Sequence, residues 1–146
     1  MKKKRKGFLR GFTLIELLVV ISIIGVLSTF LTVNFLGTRA RTRDAQRKAD
    51  MQQIRSAIEI YRSDQGSYPT TLPACNSALR VGTTTYMQKV PCDPTNTTPL
   101  TYRFTSTGTT YTLAACLENI NDAQKDVTNV TPCNGTSSWS YTLTNP

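Results

Sequence analysis

The chain has 146 residues, with 17 Lys+Arg against 9 Asp+Glu, four Cys and no His. That length supports one domain of modest core, and the missing His removes most catalytic triads, most zinc enzymes and every His-based proton shuttle. The net charge of +8 does not describe the domain, because Lys2, Lys3, Lys4, Arg5, Lys6 and Arg10 all stand in the first eleven residues, and the remainder carries 11 basic against 9 acidic residues.

Residues 17–38 (LLVVISIIGVLSTFLTVNFLGT) form an uncharged run of 22. As a helix it would be roughly 33 Å long, enough to cross a bilayer core of about 30 Å. A buried soluble helix is the bland alternative, but such helices are usually shorter and keep a polar face. Gly25-xxx-Thr29 and Ser28-xxx-Thr32 are small-xxx-small spacings that let helices approach, and they also arise by chance. A secretory signal peptide fits poorly, since the run is too long and Thr38-Arg39-Ala40-Arg41 is not a small-residue cleavage site. A plain signal anchor stays open on periodicity alone, and basic residues on both sides leave the orientation undecided. Glu16 is the odd residue. A carboxylate carried to mid-bilayer costs about 2.5–3.5 kcal/mol, so it either stays at the headgroup level or finds a cation inside an assembly.

The Lys-rich leader followed by Gly11-Phe12-Thr13-Leu14-Ile15-Glu16-Leu17-Leu18-Val19-Val20-Ile21 resembles the N-terminus of type IV pilins and of the pseudopilins of type II secretion. The resemblance implies cleavage by prepilin peptidase between Gly11 and Phe12, N-methylation of Phe12, and pairing of Glu16 with the Phe amine of a neighbouring subunit. Many members carry Pro before the Asn that Asn34 matches, where this chain has Val33.

From residue 39 to 63, Met51, Ile54, Ile58 and Tyr61 fall at i, i+3, i+7 and i+10, one stripe of an amphipathic helix. Asp44–Lys48 and Arg55–Glu59 have the i,i+4 spacing of weak ion pairs. No Pro precedes Pro69, so one helix from Phe12 to about Ser63 is allowed, at 52 residues roughly 78 Å long. Asp64-Gln65-Gly66 supplies its stop. The stripe covers too few heptads for a coiled coil. The basic residues between 39 and 48 read as headgroup contacts or a solvated face rather than as a DNA site. The segment Tyr61-Arg62-Ser63-Asp64-Gln65-Gly66-Ser67-Tyr68-Pro69 is again similar to the family, whose helix ends in such a Tyr-Pro segment.

After Tyr68 the composition changes: all seven Pro and all four Cys lie there, and Thr fills 19 of the 77 positions from 70 to 146. Tyr102 and Phe104 alternate, Ser106-Thr107-Gly108-Thr109 reads as a turn, and Tyr111, Leu113, Ala115 and Leu117 alternate again, which is a hairpin signal. Trp139, Tyr141 and Leu143 repeat the period in a further strand. The expected fold is α+β and type IV pilin-like: a long N-terminal helix packed on a small antiparallel head sheet of three or four strands. The expected divisions are a basic leader at 1–11, an apolar assembly helix at 12–38, its amphipathic continuation at 39–66 and a β-rich head at 67–146.

The four Cys are neither CxxC pairs nor zinc-spaced, so disulfides are expected in a domain placed outside the membrane. Three connectivities are possible, and the sequence does not choose among them. The pairing carried forward is Cys75–Cys92 with Cys116–Cys133, each 17 residues apart and worth about 3 kcal/mol by chain entropy. No cofactor is called for. Asp122 and Asp126, with Glu118 nearby, offer oxygens for the Ca²⁺ that some pseudopilins hold, but no EF-hand pattern accompanies them and a solvated loop is the simpler reading. Asn96, Asn129 and Asn134 stand in glycosylation sequons of the kind a Thr-rich chain forms by chance.

The resemblance implies a structural subunit of a type IV pilus or type II secretion pseudopilus. Its partners would be copies of itself, other pilin or pseudopilin subunits, the assembly machinery, the prepilin peptidase and the membrane. It would start as a single-pass precursor in the cytoplasmic membrane and end in a filament, with its head outside the membrane. The alternative is a membrane-anchored, minor-pilin-like module that binds DNA or an adhesion target. Only Arg80, Lys89, Arg103 and Lys125 are basic after Thr70, against four acids, so the head has no electrostatic footprint for DNA. An enzyme is not expected, with no nucleophile-and-base set and no phosphate-binding Gly-rich loop.

Overall fold

The computed structural model describes residues 11–146, except the side chains of residues 30–36. The expected leader, apart from Gly11, therefore lies outside the described residues. One helix, α1 (Leu14–Gln65), is followed by five strands: β1 (Leu79–Val81), β2 (Thr84–Met87), β3 (Arg103–Ser106), β4 (Tyr111–Leu117) and β5 (Trp139–Thr144). The chain divides into two units, Met1–Leu36 and Gly37–Pro146.

In the first unit α1 begins two residues later than the sequence predicts, at Leu14 rather than Phe12. Thr13 is the reason: it caps the helix from outside. Every large apolar side chain from Phe12 to Leu27 is 46–80 % exposed. Among the described residues no helical stretch is long and apolar enough to cross a membrane. The expected span at 17–38 includes residues 30–36, whose side chains lie outside the described residues.

In the second unit the predicted stripe forms the core. Met51, Ile54 and Ile58 are fully buried, Ala57 joins them, and Tyr61 packs at the edge. They meet Tyr111, Leu113, Ala115 and Leu117 of β4, which alternate inward as the period-2 pattern requires. Gly66 ends α1 with φ 75°, and its N–H bonds back to the Arg62 carbonyl at 2.8 Å. Glycine, without a Cβ, takes that conformation at no steric cost.

β3, β4 and β5 form one antiparallel sheet with β4 in the centre. Its register pairs Phe104 with Leu113, and Ala115 with Tyr141. The expected antiparallel sheet of three or four strands is thus present with three. A second, two-stranded antiparallel sheet, β1–β2, was not foreseen. Its strands have three and four residues and are mostly exposed, so they show no apolar alternation. Gly82, at φ 57°, opens their two-residue loop. Leu79 and Met87 are the residues that bind this hairpin to the core.

The free edge of β5 is covered by side chains. Asn129 Oδ1 accepts the N–H of Ser140 at 2.9 Å, Asp126 Oδ1 accepts that of Thr142 at 3.0 Å, and the Asp126 N–H donates to the Ser140 carbonyl at 2.9 Å. Cys75 is bonded to Cys92 and Cys116 to Cys133, with Cα–Cα distances of 5.0 and 5.5 Å. The second bridge holds the loop that carries Asn129 against β4.

Candidate functional site

Gly11, Phe12 and Thr13 precede the helix and are exposed, so the Gly11–Phe12 bond sits in open, non-helical chain. An added Cβ at Gly11 would meet nothing within 4 Å. The next turn is a reciprocal cap. The Thr13 N–H and hydroxyl both donate to Glu16 Oε2 at 2.8 Å, and the Glu16 N–H returns a bond to Thr13 Oγ1 at 3.3 Å. This is the T-x-x-E capping box, a signal present in the sequence and not used in its reading. It holds the Glu16 carboxylate at the start of α1, where the helix dipole favours a negative charge. Among the described residues Glu16 has no cationic partner.

The second unit holds a group of charges that the sequence reading placed in solvent. The stripe Met51–Ile54–Ile58 continues toward the N-terminus through Arg47 and Asp44, and both are buried. Arg47 sends Nε to Asp93 Oδ2 at 2.6 Å and Nη2 to Asp93 Oδ1 at 3.0 Å, while Nη1 reaches Asp44 Oδ1 and Glu118 Oε1, each at 2.7 Å. Asp44 also accepts the backbone N–H groups of Glu118 and Asn119 at 2.9 and 2.7 Å. Asp93 accepts from the Thr95 N–H and hydroxyl, both at 2.8 Å. Arg43 forms a second fork on Glu118, and Lys48 Nζ grips both Asp122 oxygens at 2.9 and 3.1 Å. No buried side-chain polar atom among the described residues is left without a partner.

Two expectations are corrected here. Arg43, Arg47 and Lys48 are not a solvated or headgroup-facing set, because acids from two separate loops draw them inward. The weak i,i+4 pairs are also replaced by stronger ones: Asp44 pairs with Arg47, Lys48 with Asp122, and Glu59 accepts the hydroxyls of Tyr68 and Tyr111. The suggested calcium oxygens have the same fate. Glu118 is taken by Arg43 and Arg47, Asp122 by Lys48, and Asp126 by Thr142. Among the described residues no group of three His, Cys, Asp or Glu is arranged to hold a metal ion. Two of the three sequon amides are also engaged: Asn129 Nδ2 donates to the Cys133 carbonyl, and Asn134 Nδ2 to Ser137 Oγ.

These contacts set the protonation of the site. Burial alone would raise the Asp93 carboxyl, but the Arg47 fork and the two Thr95 donors hold it below the ordinary carboxylate range. Arg43 and Arg47 hold Glu118 low against its burial, and Lys48 with the Gln124 N–H does the same for Asp122. Burial and the Glu59 carboxylate push the Tyr111 hydroxyl up to about 12, so it stays a donor. A carboxylate whose folded value is lowered stabilises the fold fully above its unfolded pKa of about 4 and loses that effect as the pH falls through the folded value. The urea midpoint should therefore be flat from about pH 7 to 5 and fall steeply below about 4. Asp93→Asn should flatten that fall, and an equally steep drop in the variant would remove Asp93 from the account.

The prokaryotic N-terminal methylation motif matches residues 10–32, which include Gly11, Phe12 and Glu16. The family described as type II secretion system, protein G matches residues 34–129, about two-thirds of the chain. The chain belongs to the type II secretion system protein G family. Among its relatives, the type II secretion system core protein G of Escherichia coli K12 is 32% identical over 95 residues, 58% of this chain and 66% of the relative. That of Vibrio cholerae serotype O1 is 38% identical over 71 residues, 49% of this chain and 47% of the relative. That of Aeromonas hydrophila is 28% identical over 104 residues, 64% and 71% respectively. The chain thus spans between about half and two-thirds of the length of the first two relatives. No solved structure matches it. The protein G match takes in Asp44, Arg47, Asp93, Glu118 and Asp122, and ends before Cys133 and β5. The second disulfide and the edge strand it supports thus lie partly outside the segment shared with the family.

Proposed function

We propose that this member of the protein G family is a structural subunit of a type II secretion pseudopilus and has no catalytic role. The observation that carries the reading is the apolar helical stretch from Leu14 to Leu27, exposed throughout and headed by a carboxylate that has no cationic partner among the described residues. In the proposed course the precursor is held in the cytoplasmic membrane by residues 12–38. Prepilin peptidase cuts the open Gly11–Phe12 bond, and the freed Phe12 amine is methylated. That amine supplies a neighbour's Glu16 with its missing partner, while side-chain packing between apolar helices drives association. The heads then stand outside the membrane in the filament, and nothing in this course requires a cofactor. Co-expression with a prepilin peptidase and intact-mass analysis of the membrane fraction tests it. Loss of residues 1–11 with one methyl on Phe12 is the expected result, and an intact Met1 or a cut beyond residue 38 would overturn it.

A further inference from the structure

The two disulfides lie in different surroundings. Cys116 and Cys133 are buried, at 2 % and 5 % exposure. Cys75 and Cys92 are only partly buried, and both line an open groove of about 430 Å³ between residues 71–75, 90–93 and 101–104. A small organic thiol fits such a space. The sulfurs of this bridge are also inequivalent. Asn76 Nδ2 donates to Cys92 Sγ at 3.1 Å, and among the described residues no donor reaches Cys75 Sγ.

We propose that Cys75–Cys92 is a thiol-exchange site of the folded head, open to a small external thiol and attacked at Cys75. The incoming thiolate forms a bond to Cys75 Sγ as the S–S bond breaks. The electron pair leaves on Cys92 Sγ, where the Asn76 amide hydrogen bond stabilises the thiolate, and water then protonates it to the thiol. The product is a mixed disulfide on Cys75. A second equivalent of thiol converts it to a free Cys75 thiol and releases the external thiol as its oxidised dimer.

Opening this bridge leaves the fold in place. Beside it the Asn76 N–H donates to the Val90 carbonyl at 2.7 Å, and the Val90 N–H to the Ser77 carbonyl at 2.9 Å, so backbone bonds still close the neck of the bridged segment. Leu79, Met87 and Val90 hold that segment on the core independently of the sulfurs. Cys116–Cys133 has no comparable access, and exchange there waits for unfolding.

The test incubates the full chain in detergent with reduced glutathione under native conditions, quenches with acid and maps the peptides by mass. The expected result is a glutathione adduct on Cys75, a free thiol at Cys92, an intact Cys116–Cys133 bridge and an unchanged far-UV circular dichroism spectrum. Asn76→Gly suits the left-handed backbone there, φ 66°, while deleting the amide, so the variant folds. It should slow adduct formation roughly fivefold, the scale of one hydrogen bond. An adduct on Cys92, equal release of both bridges, reduction only with loss of the spectrum, or an unchanged rate in Asn76→Gly would each overturn the proposal.

Discussion

Arg47→Met should destabilise the head by about 3–5 kcal/mol, the cost of breaking a buried ion pair from one side. The guanidinium is the shared counter-charge of Asp44, Asp93 and Glu118. Without it Asp93 keeps only the Thr95 and Asn96 donors, and Asp44 keeps two backbone N–H groups. Glu118 suffers least because Arg43 remains on it. Methionine fills the volume, so the loss is electrostatic and not a cavity. Arg47→Lys should recover little, since one ammonium cannot form the fork on Asp93 while also reaching Asp44 and Glu118. Urea unfolding of the detergent-solubilised chain, followed by circular dichroism, measures both. A midpoint within error of the parent for Arg47→Met would show that water replaces the guanidinium at no cost. Such a group is weak evidence for net stability, because desolvation offsets much of its attraction. Its stronger effect is on register. One side chain on α1 sets the positions of the loops around Asp93 and Glu118, and a slide of either loop would strand a charge.

Glu16→Ala should leave a folded head and a cleaved, methylated subunit, yet abolish most filament formation. Among the described residues the hydrogen bonds of the carboxylate are to Thr13. Losing the capping box should cost the first turn about 1 kcal/mol, too little to unfold a helix of 52 residues. The proposed loss is between subunits, where an unpaired Phe12 ammonium would be buried without its anion. Thr13→Ala separates the two effects: it removes the cap but leaves the carboxylate, and should assemble close to normally. Sheared-filament yield together with the N-terminal mass reads both variants. Filaments at parental yield from Glu16→Ala would sink the proposed pairing.

Much of this was legible in the chain. Met51, Ile54 and Ile58 announced the face that α1 buries, and the alternation from Tyr111 to Leu117 announced β4, because burial on one side imposes a period on the sequence. The same spacing reaches back to Arg47 and Asp44, but their charge made the continuation read as surface. A charged residue on an apolar stripe is buried only if its partners arrive from elsewhere, and Asp93 and Glu118 lie 46 and 71 positions away. No local pattern carries that information. β1 and β2 were missed for the opposite reason, since short exposed strands bury too little to leave a period. The Thr13–Glu16 cap is fully local, a T-x-x-E spacing that the sequence carries on its own.

The side chains along β5 have a consequence for a protein whose proposed working state is a dense array of its own copies. An exposed sheet edge is a template on which a neighbouring molecule can add a strand, and crowding favours that off-pathway aggregation. Asp126 and Asn129 occupy the outward N–H groups of Thr142 and Ser140, so this border of the sheet is closed to a foreign backbone. Heads held side by side at high local concentration can touch there without annealing into one continuous sheet.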